Sequence, residues 1–262
     1  MFETLIEKCN TNLESMDCCH KGAKECNCYQ CLSADFHEMP DDYNCEKKLN
    51  YYVLKYGSSY TSEIYHYFES SKILEDFNGK AINVLSLGCG FAPDYYAIMK
   101  YIKDMGLEIK IKYYGIDNSN YWESARVVYR NTKYLQNDLL DPFSFENFDL
   151  IIMNKVFSTI YKHGNQDIFI DNLVNAIDNT MPLNALLIFN DINHIDMGRD
   201  YFHNRVNQKF RKVRQYYCGP AKYTEYQWKK IANDRIVFPL VDNRDVDPIA
   251  EIRCFVYFEY RK

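Results

Sequence analysis

From residue 81 onward the chain alternates short apolar runs with stretches of helical spacing. The runs are "INVLSL", "IKYYGI", a weaker "KYLQ", "FDLIIM", "ALLIFN", "RIVFPL" and "EIRCFVYFEY". Helix-like segments lie between most of them, for example Ile170, Leu173, Val174 and Ile177 at i, i+3, i+4 and i+7. This alternation predicts a mainly parallel sheet with helices on both faces. The last two runs are joined by "VDNRDVDP" without a helical stretch, which predicts an antiparallel hairpin at the end of the sheet. Upstream, Leu49, Tyr52, Val53 and Tyr56, then Tyr60, Ile64, Tyr67 and Phe68, predict two helices parted by Gly57. The expected division is a cysteine-rich module over 1–40, a helical cap over 41–78 and an α/β domain over 79–262.

The first apolar run stops at Gly88-Cys89-Gly90, just before a helical segment. Paired glycines at a strand end let a ligand reach the backbone and meet free N–H groups. The next run ends at Asp117, where a carboxylate can accept hydrogen bonds from both hydroxyls of a ribose. The third strand runs into "QNDLLDP", placing Asp138 beside the expected position of a base. A dinucleotide fingerprint requires a third glycine and an acid about 20 residues on. Here Pro93 stands in the glycine's place and the acid lies farther away. A nicotinamide or flavin dinucleotide is therefore disfavoured, and a Walker-type phosphate loop is absent from the sequence.

Taken together, "VLSLGCGFAPD", "YYGIDNSNYW", "NDLLD" and "FDLIIMNKVFS" resemble the successive motifs of class I S-adenosylmethionine-dependent methyltransferases. The resemblance covers about residues 80–260 and implies a Rossmann-like, seven-stranded, mainly parallel sheet with the cofactor across its C-terminal strand ends. By position it assigns Gly88, Cys89 and Gly90 to the methionyl part and Asp117 with Asn118 to the ribose. It assigns Asp138 to the adenine amino group and Asn154 to the neighbourhood of the reactive methyl. The family's acid two residues before the first glycine is replaced by Ser86. Asp94 or a tyrosine from the preceding helices is the expected substitute for its hold on the cofactor's ammonium.

Methyl transfer from a sulfonium is largely a matter of in-line positioning, and a base is needed only where the acceptor must lose a proton. Asn154 and Lys155 after the fourth strand and Asp191 and His194 after the fifth are the strand-tip candidates, with Asn154 and His194 taken as catalytic. "NKVF" departs from the Asn-Pro-Pro-aromatic pattern of enzymes that methylate exocyclic amines in nucleic acids.

Seven of the ten cysteines fall in the first 45 residues. Clustering of this kind points to metal rather than disulfides. Cys28-Tyr29-Gln30-Cys31 has zinc-knuckle spacing, and Cys18 and Cys26 complete the expected tetrahedral set. Cys19, His20, His37 and Cys45 remain alternatives. A zinc-stapled N-terminal module is therefore expected beside S-adenosylmethionine.

Charge adds one more feature. The net charge of −5 argues against indiscriminate polyanion binding, yet Arg205–Lys230 carries eight Lys or Arg against one acid, Glu225. Interleaved aromatics make this stretch a candidate single-stranded RNA face, with Arg214, Lys222, Trp228, Lys229 and Lys230 as contacts. An amphipathic helix built on Val206, Phe210 and Val213 is the bland reading of its first half. RNA is the leading expected acceptor. A protein or small-molecule acceptor, or a non-catalytic cofactor-fold protein, is the alternative. No apolar run reaches membrane-spanning length, and the N-terminus lacks secretory-signal features, so a cytoplasmic protein without membrane contact is expected.

Overall fold

The computed structural model describes residues 1–17, 28–32, 43–219, 228–243, 245–252 and 254–262. The helices are α1 (Phe2–Ser15), α2 (Cys28–Cys31), α3 (Glu46–Ser71), α4 (Pro93–Asp104), α5 (Phe157–Lys162), α6 (Gln166–Asn179) and α7 (Arg199–Val206). The strands are β1 (Ala81–Leu87), β2 (Lys110–Asp117), β3 (Thr132–Gln136), β4 (Leu150–Asn154), β5 (Leu186–Ile192), β6 (Lys212–Cys218), β7 (Lys229–Lys230) and β8 (Phe255–Arg261). They form one sheet in the order β3-β2-β1-β4-β5-β8-β6-β7. Strands β1 to β5 are parallel, whereas β8 runs antiparallel to both β5 and β6. The result is an α/β fold with a mixed sheet and helices packed on both of its faces.

Strand residues alternate between two apolar layers, as a two-residue period dictates. Val84, Ile152 and Ile188 join α1, α3 and α4 on one face, while Leu85, Met153 and Phe189 join α6 and α7 on the other. Both faces of the central strands are buried, so their sequences read as continuous apolar runs. Helix α1 is part of the first layer: Phe2 meets Tyr96 and Phe238 edge-on, at 5.4 and 5.0 Å between ring centroids.

Three expectations are corrected. First, α3 is one continuous helix of 26 residues. Gly57 lies inside it, packed beside the Phe2 ring of α1, and does not end a helix.

Second, "RIVFPL" is not a strand. Its backbone groups are taken by α3 instead: Ser58 Oγ donates to Pro239 O (2.5 Å), and the Val237 amide donates to Ser62 Oγ (2.9 Å). The His66 ring meets Arg235 O at 2.7 Å. β8 pairs antiparallel with β5 and, on its other side, with β6 from the basic stretch, and among the described residues the sheet has eight strands.

Third, the zinc-stapled module is overturned. Among the described residues no group of three or more His, Cys, Asp or Glu could hold a metal ion. Cys18 and Cys26 lie outside the described residues. Cys28 is buried with its Sγ 3.8 Å from Cys45 Sγ, and Cys31 closes the single helical turn of α2. No helix among the described residues is long and apolar enough to cross a membrane.

Candidate functional site

The loops after β1, β2, β3 and β4 meet at the C-terminal edge of the sheet and enclose a cleft of ≈ 400 Å³. In open α/β sheets this edge is where ligands bind. Gly88, Cys89, Gly90, Asp117, Asn118, Asp138 and Asn154 all line the cleft, so the seven positions singled out in four separate motifs converge on one cavity.

The turn after β1 is built from left-handed backbone. Gly88, Gly90 and Ala92 have φ of +63°, +50° and +64°. A Cβ on Gly88 would lie 2.3 Å from Val156 Cγ2, so this position excludes any side chain on space as well as conformation. On Gly90 a side chain would project toward the Trp122 ring, which also lines the cleft. Pro93 then starts α4 at a position where a missing N–H costs nothing.

Asp117, at the tip of β2, secures this turn. Its Oδ2 accepts from the Gly90 amide (2.9 Å) and its Oδ1 from the Ser119 amide (3.1 Å). Burial raises the Asp117 pKa, opposed by those two amides and by the Arg126 charge. Arg126 Nε donates to Gly90 O, so the Gly90 residue is gripped at both its N–H and its C=O. Each Asp117 oxygen keeps a further acceptor direction for a ligand hydroxyl. Asp138 is held by the Leu140 amide on Oδ1 (2.9 Å).

Cys89 lines the cleft as a thiol. Burial pushes its pKa up, and its Sγ would sit 2.6 Å from a Cβ on Gly115, which accounts for the glycine in mid-β2. At the tip of β4, Asn154 Oδ1 is buried without a hydrogen-bond partner. A polar atom in that state costs about 1–3 kcal/mol unless a ligand satisfies it.

Much of the remaining lining is aromatic. Tyr43, Tyr52 and Tyr60 face the cleft with Phe91 and Trp122, and Tyr52 meets the Trp122 ring edge-on at 5.5 Å. These tyrosines lie on and just before α3. Only their helical spacing was visible in the sequence, and it signals a packed helix face equally well. His163 and Asn165, beyond α5, also line the cleft.

Other expected residues are not brought here. Asp94 is fully buried, accepts from the Tyr113 hydroxyl (2.8 Å) and is absent from the cleft lining, so it does not replace the missing acid at Ser86. His194 is exposed and accepts from the Asp196 amide (3.2 Å), away from the cleft.

The described residues of the basic stretch do not form one face. Arg214 reaches the buried Glu259 carboxylate (3.5 Å), and Lys229 donates to Ser70 O and lies over the Tyr216 ring. Trp228 packs edge-on against Phe258 at 5.3 Å, on the other side of the sheet. Lys230 is exposed on β7, and Lys222 lies outside the described residues. The RNA face expected from their adjacency in sequence is therefore not carried forward: strand alternation sends neighbouring residues to opposite sides.

No protein-family model matches the chain, and no curated protein matches it. Among solved structures it is similar to N-methyltransferase NodS from Bradyrhizobium japonicum with S-adenosyl-L-homocysteine, at 15% identity over 90% of this chain and 99% of that one (TM-score 0.46). It is similar to the plantazolicin methyltransferase BpumL with a monoazolic desmethylPZN analog and S-adenosyl-L-homocysteine, at 12% identity over 99% and 100% (TM-score 0.47). A TehB-like methyltransferase from Corynebacterium glutamicum is similar at 13% identity over 74% and 86% (TM-score 0.40).

Proposed function

We propose that the cleft binds S-adenosylmethionine and that the chain transfers its methyl group to a small-molecule or protein acceptor. The observation that carries this reading is Asp117, a buried carboxylate fixed by two amides at the tip of β2 and facing the cleft beside the open Gly88–Gly90 turn. That arrangement fits a ribose hydroxyl pair next to a group lying close over backbone. Asp138 and Asn118 extend the same wall toward the base, and the unpaired Asn154 Oδ1 supplies an acceptor at the β4 tip.

When bound, the cofactor supplies an electrophilic methyl on a sulfonium. The chain's own contribution is to hold, orient and dry the site. The aromatic wall of Tyr43, Tyr52, Tyr60, Phe91 and Trp122 excludes water and presents π faces, which attract cationic groups. A cleft of ≈ 400 Å³ lined by aromatics favours a small or side-chain-sized acceptor over a folded polynucleotide.

Titration calorimetry with S-adenosylhomocysteine tests the reading. Wild type is expected to bind, and Asp117→Ala to lose on the order of 1.5–3 kcal/mol of affinity, the worth of hydrogen bonds to a charged acceptor. No binding by wild type would sink the cofactor assignment, and unchanged affinity in Asp117→Ala would remove that residue from the site.

A further inference from the structure

Lys155 follows Asn154 at the end of β4 with its backbone at φ +54°, a conformation that favours glycine. The turn sends its side chain toward α3, where Nζ stands 3.1 Å from Glu63 Oε1. The ammonium also lies over the Tyr60 ring at 4.9 Å and the Phe255 ring at 5.9 Å. Glu63 is 1% exposed, and its Oε1 accepts from Asn190 Nδ2 (2.9 Å) as well. Behind it, Asp191 is buried and answered by the Ser158 and Ile192 amides at 2.9 and 2.8 Å.

Two costs meet at this residue: a left-handed backbone without glycine, and a buried ion pair whose desolvation rivals its attraction. Packing alone would be served as well by an apolar pair. Lys155 differs from a structural partner in one respect, since it lines the cleft. It is the one Lys or Arg among the described lining residues, and it lies at the β4 tip, whereas the acids Asp117 and Asp138 lie at the tip of β2 and after β3. An ammonium has three donors, and a single carboxylate occupies this one among the described residues.

We propose that Lys155, held in place by Glu63 and Tyr60, is the oxyanion-binding group of the cleft and takes the carboxylate of a bound ligand. Two sources fit that chemistry. One is the amino-acid end of the cofactor, which rests on the function proposed above; Lys155 would then hold its carboxylate, a different group from the ammonium that the acid missing at Ser86 would hold. The other is a carboxylate on the acceptor, which does not depend on the cofactor.

The test measures Kd for S-adenosylhomocysteine and for 5′-methylthioadenosine, which lacks the amino-acid end, in wild type and Lys155→Met. Because Lys155→Met strands a buried carboxylate, the neutral double exchange Glu63→Gln/Lys155→Gln is measured beside it, with circular dichroism confirming the fold. A loss of about ten- to a hundredfold for S-adenosylhomocysteine with methylthioadenosine unchanged supports the site and assigns the carboxylate to the cofactor. If both nucleosides bind as before, benzoate and phenylacetate are titrated against their amides in the presence of S-adenosylhomocysteine. A preference for the acids that vanishes in the variants supports the site and assigns the carboxylate to the acceptor. Equal losses for both nucleosides, or no effect on any of these probes, overturn the assignment. Wild type that binds neither nucleoside refutes the cofactor reading, and the acid titration alone then decides for Lys155.

Discussion

Replacing Asp94 with asparagine should stabilise the protein at neutral pH and leave it unchanged in acid. Asp94 is fully buried at the start of α4, and desolvation pushes its carboxyl up to about 6 from 3.8. The nearby Ser86 and Tyr113 hydroxyls and the Asp94 and Tyr95 amides offset part of that cost. Oδ1 accepts from Tyr113, whereas Oδ2 and Ser86 Oγ both lack a partner in hydrogen-bond geometry. Folding therefore favours the neutral acid. The stability this contributes is fully present below the unfolded pKa, is lost as pH rises through about 6, and is absent above. That rise in pKa corresponds to roughly 3 kcal/mol. An asparagine keeps the Tyr113 bond, turns an amide toward Ser86 and carries no charge. Urea unfolding of both proteins from pH 4 to 8 should give a variant more stable by about 1–3 kcal/mol at pH 8, the difference shrinking toward zero near pH 4. Taking the difference between the two proteins removes the titration of all other acids. An advantage that grows as pH falls, or a variant less stable at pH 8, would refute the reasoning.

Other expectations follow from the turn and the core. Gly88→Ala forces a side chain at φ +63° against Val156, so it should cost about 1–3 kcal/mol in urea unfolding. Adding Val156→Ala should recover part of that loss, and strict additivity in the double-mutant cycle would show that the two positions do not meet. Phe189→Ala removes a fully buried ring stacked on Phe202 at 4.1 Å and should cost about 3–5 kcal/mol. A change below 1 kcal/mol would mean that the second apolar layer repacks freely.

The four central parallel strands and the glycine turn were legible because their signals are local. Both faces of β1, β4 and β5 are covered, so each is mostly apolar; β1 is followed by a glycine that meets the cleft, while β2 and β4 end in a polar residue that does. β6 was not legible. In "KVRQYYC" the cations sit on a half-exposed strand beside the edge pair β6–β7, and their density mimics a helix or a nucleic-acid face. "RIVFPL" misled in the opposite sense, since its β-branched residues are strapped to α3 by serine hydroxyls that no strand signal anticipates. The tyrosine wall and the Glu63–Lys155 pair were hidden for another reason. Each joins residues of α3 to strand tips far along the chain, a proximity that only the fold creates.

The place of β8 also bears on the order in which the molecule assembles. β5 does not pair with β6, the next strand along the chain; β8 inserts between them with the pairs Ile192↔Phe255 and Cys218↔Phe255. Until that segment arrives, one side of β5 presents unpaired amides and carbonyls beside Leu187 and Phe189, and the β6–β7 unit has no attachment to the parallel strands. Closing so long a loop adds little to the equilibrium cost but delays the pairing. A refolding chain is therefore expected to populate a species with a finished parallel half and an open sticky edge, the form most exposed to strand-to-strand aggregation. Capture of β8 is the step that closes that edge.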